Sequence, residues 1–257
     1  MGLDLEELLY RIGEGAETLP GRAARALGDI IVPEASPKPP SFKLLRKLVR
    51  KDVTVHELLS LRLQLSFIAY LLANLLLMIL HPSPAAVLAL SMIEALYVRR
   101  TTLKYRDFFV DHEPYAFFYT YLTAITFLAF EGYVAVKRYY PHAGYQYMYL
   151  IAVFLLVLAF RWAFKEKYGR DYTYGTVEEV KNDLARVFVH DDIAANVKPG
   201  RYWVPAVRDL APGRVVKLLV EDRKLRGAIP VRILEVYLGE PQGQSSHTST
   251  EPKAEIE

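Results

Sequence analysis

The chain has 257 residues, enough for one or two domains, and 52% of them are apolar. The absence of cysteine excludes disulfides, thiolate metal sites and a cysteine nucleophile. The net charge is only +3, but it is unevenly spread: the apolar runs between Leu63 and Phe160 are nearly free of charge, as in a bilayer segment between polar ends.

The opening MGLDLEELLYRIGEG is acidic and has no apolar core before a cleavage site, so no signal peptide is expected. Gly2 fails the myristoylation pattern because Glu6 stands where Ser or Thr is needed. Leu5, Leu8, Leu9 and Ile12 predict a short amphipathic helix, and Ala23, Ala26, Leu27 and Ile30 a second. VPEASPKPP (32–40) breaks regular structure and predicts an extended linker, which closes an N-terminal region over 1–40.

SFKLLRKLVRKD follows. Its apolar residues alternate with Lys43, Arg46, Lys47, Arg50 and Lys51, the pattern of a basic helix lying on an anionic lipid surface. Thr54 and Glu57 form a T-x-x-E capping box before a long apolar stretch. HELLS (56–60) opens like a zinc-protease HExxH but ends in Ser60, so the second ligand is missing and no metal is expected there.

Four transmembrane helices are expected within a domain over 41–170: Leu63–Leu80, Pro84–Val98, Tyr115–Val136 and Ala143–Phe160. The first is 18 uncharged residues, about 27 Å at roughly 1.5 Å per residue. HPSP (81–84) is a tight turn, and the second span is short and holds Glu94. Fourteen Lys and Arg flank one side of these spans, against Lys137 and Arg138 on the other. That imbalance places the protein in the cell membrane as a multi-pass chain with both termini cytoplasmic.

In that topology Glu94 and Arg161 lie at similar depth near the inner ends of the second and fourth spans. They are expected to pair, which would offset the cost of a buried charge. Glu131 is the mirror case near the outer end of the third span, with Arg138 on roughly the same helix face as its expected local partner; the rival reading takes Glu94 and Glu131, two carboxylates at different depths, as a proton or cation path. Asn74 is expected to bond a neighbouring helix.

KYRDFFVDHEPY (104–115) is the densest polar cluster. Asp107, Asp111, His112 and Glu113 are candidates for an oxygen-rich metal or phosphate site with His112 as base. Their spacing matches no metal motif, and the alternative is a solvated connector whose acids pair with nearby basic residues.

Beyond Arg170 the pattern changes to short alternating runs separated by Pro-Gly turns, which predict five strands over 171–239. Ala185, Val187 and Val189 would share one face, and Asn182–Asp183 would be a hairpin turn. The expected architecture is a small all-β barrel of the OB or SH3-like kind, although Thr176 and Glu179 could instead cap a helix through Leu184. Eleven Lys/Arg balance eleven Asp/Glu from Asp171 to Glu240, so no nucleic acid is expected. Residues 240–257 are polar and are expected to be disordered.

LRLQLSFIAYLL, DHEPYAFFY, YGTVEEVKNDLARVFV and APGRVVKLLVED with GAIPVRILEV together resemble an uncharacterised family of archaeal multi-pass membrane proteins, over about residues 41–238. The resemblance implies an archaeal membrane location and supplies no active residues. With only 4 Met, 3 Asn and 4 Gln, the composition also points to a thermophile. The expected role is an anchor or scaffold that binds membrane lipid and a protein partner or a second copy of itself, without cofactor. The rivals are a small oligomeric channel or transporter and a membrane-surface metal enzyme built on the acidic loop.

Overall fold

The computed structural model describes residues 28, 33–42, 53–80, 83–140, 142–208, 210–223 and 227–237. The basic helix with Lys43, Arg46, Lys47, Arg50 and Lys51, the two N-terminal helices and the C-terminal tail lie outside the described residues. The chain divides into two compact units. A helical unit runs to Arg170 and includes Asp191–Ala194; a sheet unit holds Asp171–His190 and the residues from Ala195 onward.

The helical unit has four long helices: α1 (Val55–Leu80), α2 (Pro84–Lys104), α3 (His112–Tyr139) and α4 (Ala143–Tyr168). The capping box sets the start of α1: Thr54 N donates to Glu57 Oε2 at 3.0 Å and Glu57 N to Thr54 Oγ1 at 3.4 Å. Pro84 sits in the first turn of α2, where a missing N–H costs nothing. Asp111 caps α3 by accepting from Glu113 N at 3.3 Å. Residues 33–42 form no regular element, and Ser36 N donates to Lys104 O at 2.8 Å, satisfying a carbonyl at the end of α2.

α1, α3 and α4 are long and apolar enough to cross a membrane; α2 is not among them. Its sequence holds Glu94, Arg99, Arg100 and Lys104, and its buried positions include Ser91, Glu94, Thr101 and Thr102. α2 packs on α1 and α3, whereas α4 packs chiefly on α3. At the foot of the bundle Leu58, Leu59, Leu63, Val98, Tyr115 and Tyr119 form a core, with Phe42 buried against them. Ile125, Phe160 and Phe164 fill the α3–α4 seam. Leu150, Ile151, Phe154, Leu155 and Leu158 of α4 remain exposed, as do Ile68, Leu72, Leu76 and Ile79 of α1. An apolar exterior of this extent is what a lipid environment asks for.

The sheet unit contains β1 (Tyr172–Lys181), β2 (Leu184–Val189), β3 (Gly200–Pro205), β4 (Val215–Arg223) and β5 (Gly227–Tyr237). Residues 176–181 are therefore strand and not helix. Asn182, at φ 54°, supplies the left-handed position of the two-residue turn that pairs Lys181 with Leu184. All pairings are antiparallel, in the order β3-β2-β1-β4-β5. Ala185, Val187 and Val189 are fully buried together with Val177, Val204, Val216 and Leu218, so the expected core face is the observed one.

The sheet is not closed into a barrel. β3 and β5 are its edges; among the described residues one isolated parallel bridge reaches β5 from the segment ahead of β3, Val197 to Ala228, with Ala228 N donating to Asn196 O at 2.8 Å. Pro205 ends β3 and Pro230 lies in β5. Proline has no N–H to give a ladder, so strands that carry it stay at an edge.

Candidate functional site

A line of buried polar side chains runs along the face where α1, α2 and α3 meet. On α1, His56, Ser60, Leu63, Tyr70 and Asn74 are buried, a spacing of three, four and seven that keeps them on one face. α2 contributes Ser91 and Glu94; α3 contributes Tyr115, Tyr119, Thr123 and Thr126.

At the start of α1 the network closes on Asp191. Ser60 Oγ donates to Asp191 Oδ2, and Tyr115 Oη lies 2.9 Å from the same carboxylate oxygen and 3.1 Å from the Asp191 carbonyl. His56 holds two backbone groups at once: Nε2 donates to Asp191 O at 2.7 Å, and Nδ1 accepts from Val110 N at 3.3 Å. That pair of bonds requires the neutral ring with its proton on Nε2. Phe109 and Tyr115 pack edge-on against the same ring. His56, Ser60 and Tyr115 are 5%, 2% and 3% exposed, so water does not compete for these bonds.

The neighbouring Asp192 is held as tightly. Arg170 Nη2 donates to Asp192 Oδ2 at 3.0 Å, Ala194 N donates to Asp192 Oδ1 at 3.1 Å, and Arg170 N donates to Ala194 O at 3.3 Å. Arg170 Nη1 also lies 4.0 Å from Asp111 Oδ2. Residues 191–194 are thus built into the helical unit by three side chains from α1 and α3 and by Arg170. Chemically this is a staple. Ser60 donates a hydrogen bond to a carboxylate, and both nitrogens of His56 hold main chain, so the geometry is not that of a histidine base raising a nucleophile.

Further along α1, Glu94 is buried and accepts from Ser66 at 2.9 Å. Tyr70 donates to Ser91 Oγ at 2.7 Å, and Ser91 donates back to Val87 O at 2.8 Å. Asn74 Nδ2 donates to Tyr70 O at 2.9 Å. Thr123 Oγ1 bonds Tyr119 O at 2.8 Å within α3.

Glu94 and Arg161 are not brought together. Arg161 is exposed on α4, which packs on α3, and Glu94 faces Ser66 of α1. Among the described residues no ion pair joins Glu131 to Arg138, and Glu131 Oε1 is buried. The expected i,i+4 helix face for Asp107 and Asp111 does not form. Asp107 lies in a 3-10 turn, Arg106–Phe108, where it pairs with Arg106 at 3.7 Å, and Asp111 caps α3. His112 and Glu113 open α3, and among the described residues no three His, Asp or Glu gather as a metal site would require.

Nothing about Asp191 stands out in the sequence beyond its place in HDDI between two strands, 131 residues from Ser60. The signal for its partners was the i,i+4 pair His56 and Ser60, which the failed HExxH comparison had set aside.

The family model described as "Predicted membrane protein (DUF2101)" matches residues 27–234. The chain belongs to the DUF2101 family. The match spans both α1–α4 and most of β5, so the helices and the sheet are together the DUF2101 unit. No curated protein and no solved structure matches the chain.

Proposed function

We propose that this membrane protein is an anchor: four helices cross the bilayer, both termini and the sheet unit lie in the cytoplasm, and the sheet engages a protein partner at the inner leaflet. The case for α2 as a fourth crossing is geometric. It is 21 residues long, about 31 Å, it begins four residues after the last residue of α1, and it packs on two helices that are apolar enough to span. Its weaker apolarity comes from Ser91, Glu94, Thr101 and Thr102, which it buries, and from Arg99, Arg100 and Lys104 toward its C-terminal end. The basic segment with Lys43, Arg46, Lys47, Arg50 and Lys51 would add attraction to anionic lipid.

The observation that carries the reading is Trp203 on edge strand β3. It is 48% exposed, with the Arg186 guanidinium 5.8 Å from its ring. Arg186 and Arg201 both pair with Glu178, at 3.1 and 2.8 Å. An exposed tryptophan beside ordered arginines on an open sheet edge is the composition of a binding hot spot. Affinity purification of the full chain from native membranes tests it. A partner should co-elute with the wild type and be lost from Trp203→Ala, and equal recovery from both would end the proposal.

The buried polar line supports a second reading, a small transporter, because it gives α1 the polar face that such a role needs. Ion flux into liposomes that depends on Glu94 would favour it over the anchor.

A further inference from the structure

We propose that the groove between α2 and α3 binds one anionic phospholipid, with the lipid phosphate on Arg99 and an acyl chain lying along Ala95 and Ala116. The site rests on reading α2 as lying in the bilayer beside α3. It needs neither a partner for the sheet nor a given side for the termini.

On α2, Ala95, Leu96, Arg99 and Leu103 follow one another at intervals of one, three and four, which is a single stripe of the helix surface. Ala116 and Thr120, four residues apart on α3, line the same groove. With only a methyl group at Ala95 and at Ala116, the two helices enclose a hollow of about 210 Å³ instead of filling it. From Ala95 to Leu103 the stripe is about 12 Å long at roughly 1.5 Å per residue, close to the hydrocarbon depth of one leaflet, about half of 30 Å. Ser91, Glu94 and Val98 of α2 are buried in the bundle and are not part of this lining.

The chemistry of the lining selects the ligand. Most of it is apolar, which suits an acyl chain and offers little to a soluble anion. The hydroxyl of Thr102, also in the lining, donates to Val98 O at 2.9 Å and needs nothing from a ligand. Among the described residues the one charged side chain in the lining is Arg99, which is exposed, and Arg100 and Lys104 stand at the same end of α2. A guanidinium has five N–H donors in a planar fork that matches phosphate oxygens, so a contact within the chain leaves others for a lipid head. A basic pocket between helices at headgroup level is by its chemistry a site for an anionic lipid.

Native mass spectrometry of the full chain in detergent tests this, with dioleoyl phosphatidylglycerol against dioleoyl phosphatidylcholine as probes. The two share their chains and their phosphate and differ in net charge. One phosphatidylglycerol per chain should bind, at a concentration about 5-fold lower than phosphatidylcholine, the preference expected of one basic residue at a membrane surface. Arg99→Gln should erase that preference, and Ala116→Leu should lose both lipids by filling the hollow. Arg161→Gln, which removes an exposed cation of α4, should bind as the wild type does. So should Trp203→Ala, which separates a failure of this site from a failure of the anchor reading. Equal binding of the two lipids by the wild type, a preference retained in Arg99→Gln, or one lost equally in Arg161→Gln would overturn the proposal. So would wild-type binding by Ala116→Leu, or tighter binding of oleate than of phosphatidylglycerol, which would assign a fatty acid. Should Ala116→Leu fail to fold, a phosphatidylglycerol carrying a diazirine in its acyl chain decides on the wild type: adducts on residues 95–103 or 116–120 are expected, and adducts confined to α1 and α4 would overturn the proposal.

Discussion

Asp191 shows how one carboxylate can organise residues far apart in the chain. It accepts from Ser60 and lies 2.9 Å from the Tyr115 hydroxyl, while its carbonyl accepts a hydrogen bond from His56 Nε2. Removing an acceptor from a buried network leaves the donors with neither protein nor water, and that asymmetry outweighs the modest value of each bond. Asp191→Ala should therefore cost about 2–4 kcal/mol. In a chain of this size that is a fall in Tm of about 4–16 °C. Ser60→Ala removes a donor and its packing but strands no charge, so its effect should be clearly smaller. The double variant Ser60→Ala with Asp191→Ala should be no worse than Asp191→Ala alone, as measured by unfolding in detergent. Glu178 gives the opposite, half-exposed case. Its hydrogen bond from Arg201, and then the charges of Arg201 and Arg186, hold its carboxyl below the usual carboxylate range. A pKa lowered by folding stabilises above the unfolded value of about 4.3 and ceases to do so as pH falls through the folded value. The Tm gap between wild type and Glu178→Gln should accordingly be full at pH 7 and close as pH drops through 4 and below. A gap independent of pH would show that the carboxylate's charge is not what matters there.

At the scale of elements, what the sequence made legible was whatever is local. The apolar runs marked all four helices, the Thr54–Glu57 box marked the start of α1, and Asn182–Asp183 marked the β1–β2 turn. Alternation in LARVFV gave the buried face of β2 because a strand's period is fixed at two. Partners between helices were not legible. Glu94 finds Ser66 and not Arg161 because α2 packs beside α1 and α3, and no periodicity within α2 encodes which neighbour it meets. Closure of the sheet was equally hidden, since it depends on whether the edges meet, although Pro205 in β3 and Pro230 in β5 carried an edge signal within the expected strands. Asp191 escaped because its partners lie 76 to 135 residues away. The α3–α4 seam offers a test at this scale. Tyr149 of α4 donates to Leu128 O at 2.6 Å, and a Cβ on Gly132 would occupy the place of its hydroxyl. Gly132→Ala should expel Tyr149 and loosen α4 from α3, at about 1–3 kcal/mol for the overpacking. Gly132→Ala combined with Tyr149→Ala should be no less stable than Tyr149→Ala alone, because the clash is then gone. A Tm for Gly132→Ala equal to the wild type would show that the seam is looser than this contact implies.

For the whole molecule, the question that governs the anchor reading is parity. If α2 crosses with α1, α3 and α4, residues 33–42 and the sheet unit lie on the same side of the membrane; if α2 stays on one surface, three crossings put them on opposite sides. The charge pattern argues for the even number, because Arg99, Arg100 and Lys104 at the end of α2 join the basic flanks of α1 and α4, while Lys137 and Arg138 stand alone at the end of α3. The packing argues the same way. α2 packs on two helices apolar enough to span, and its buried Ser91, Glu94 and Thr102 find hydrogen bonds there, as polar groups within a bilayer must. The chain has no cysteine, so a single introduced thiol reports one position without background. Lys38→Cys, His142→Cys and Glu221→Cys each place that thiol at an exposed residue: ahead of α1, at the start of α4 and on β4. With a membrane-impermeant maleimide on intact cells, His142→Cys should label at once, and Lys38→Cys and Glu221→Cys only after lysis. Labelling of Glu221→Cys from outside, with Lys38→Cys still protected, would mean three crossings. The sheet with Trp203 would then face away from the cytoplasm, and a cytoplasmic partner could not be its ligand.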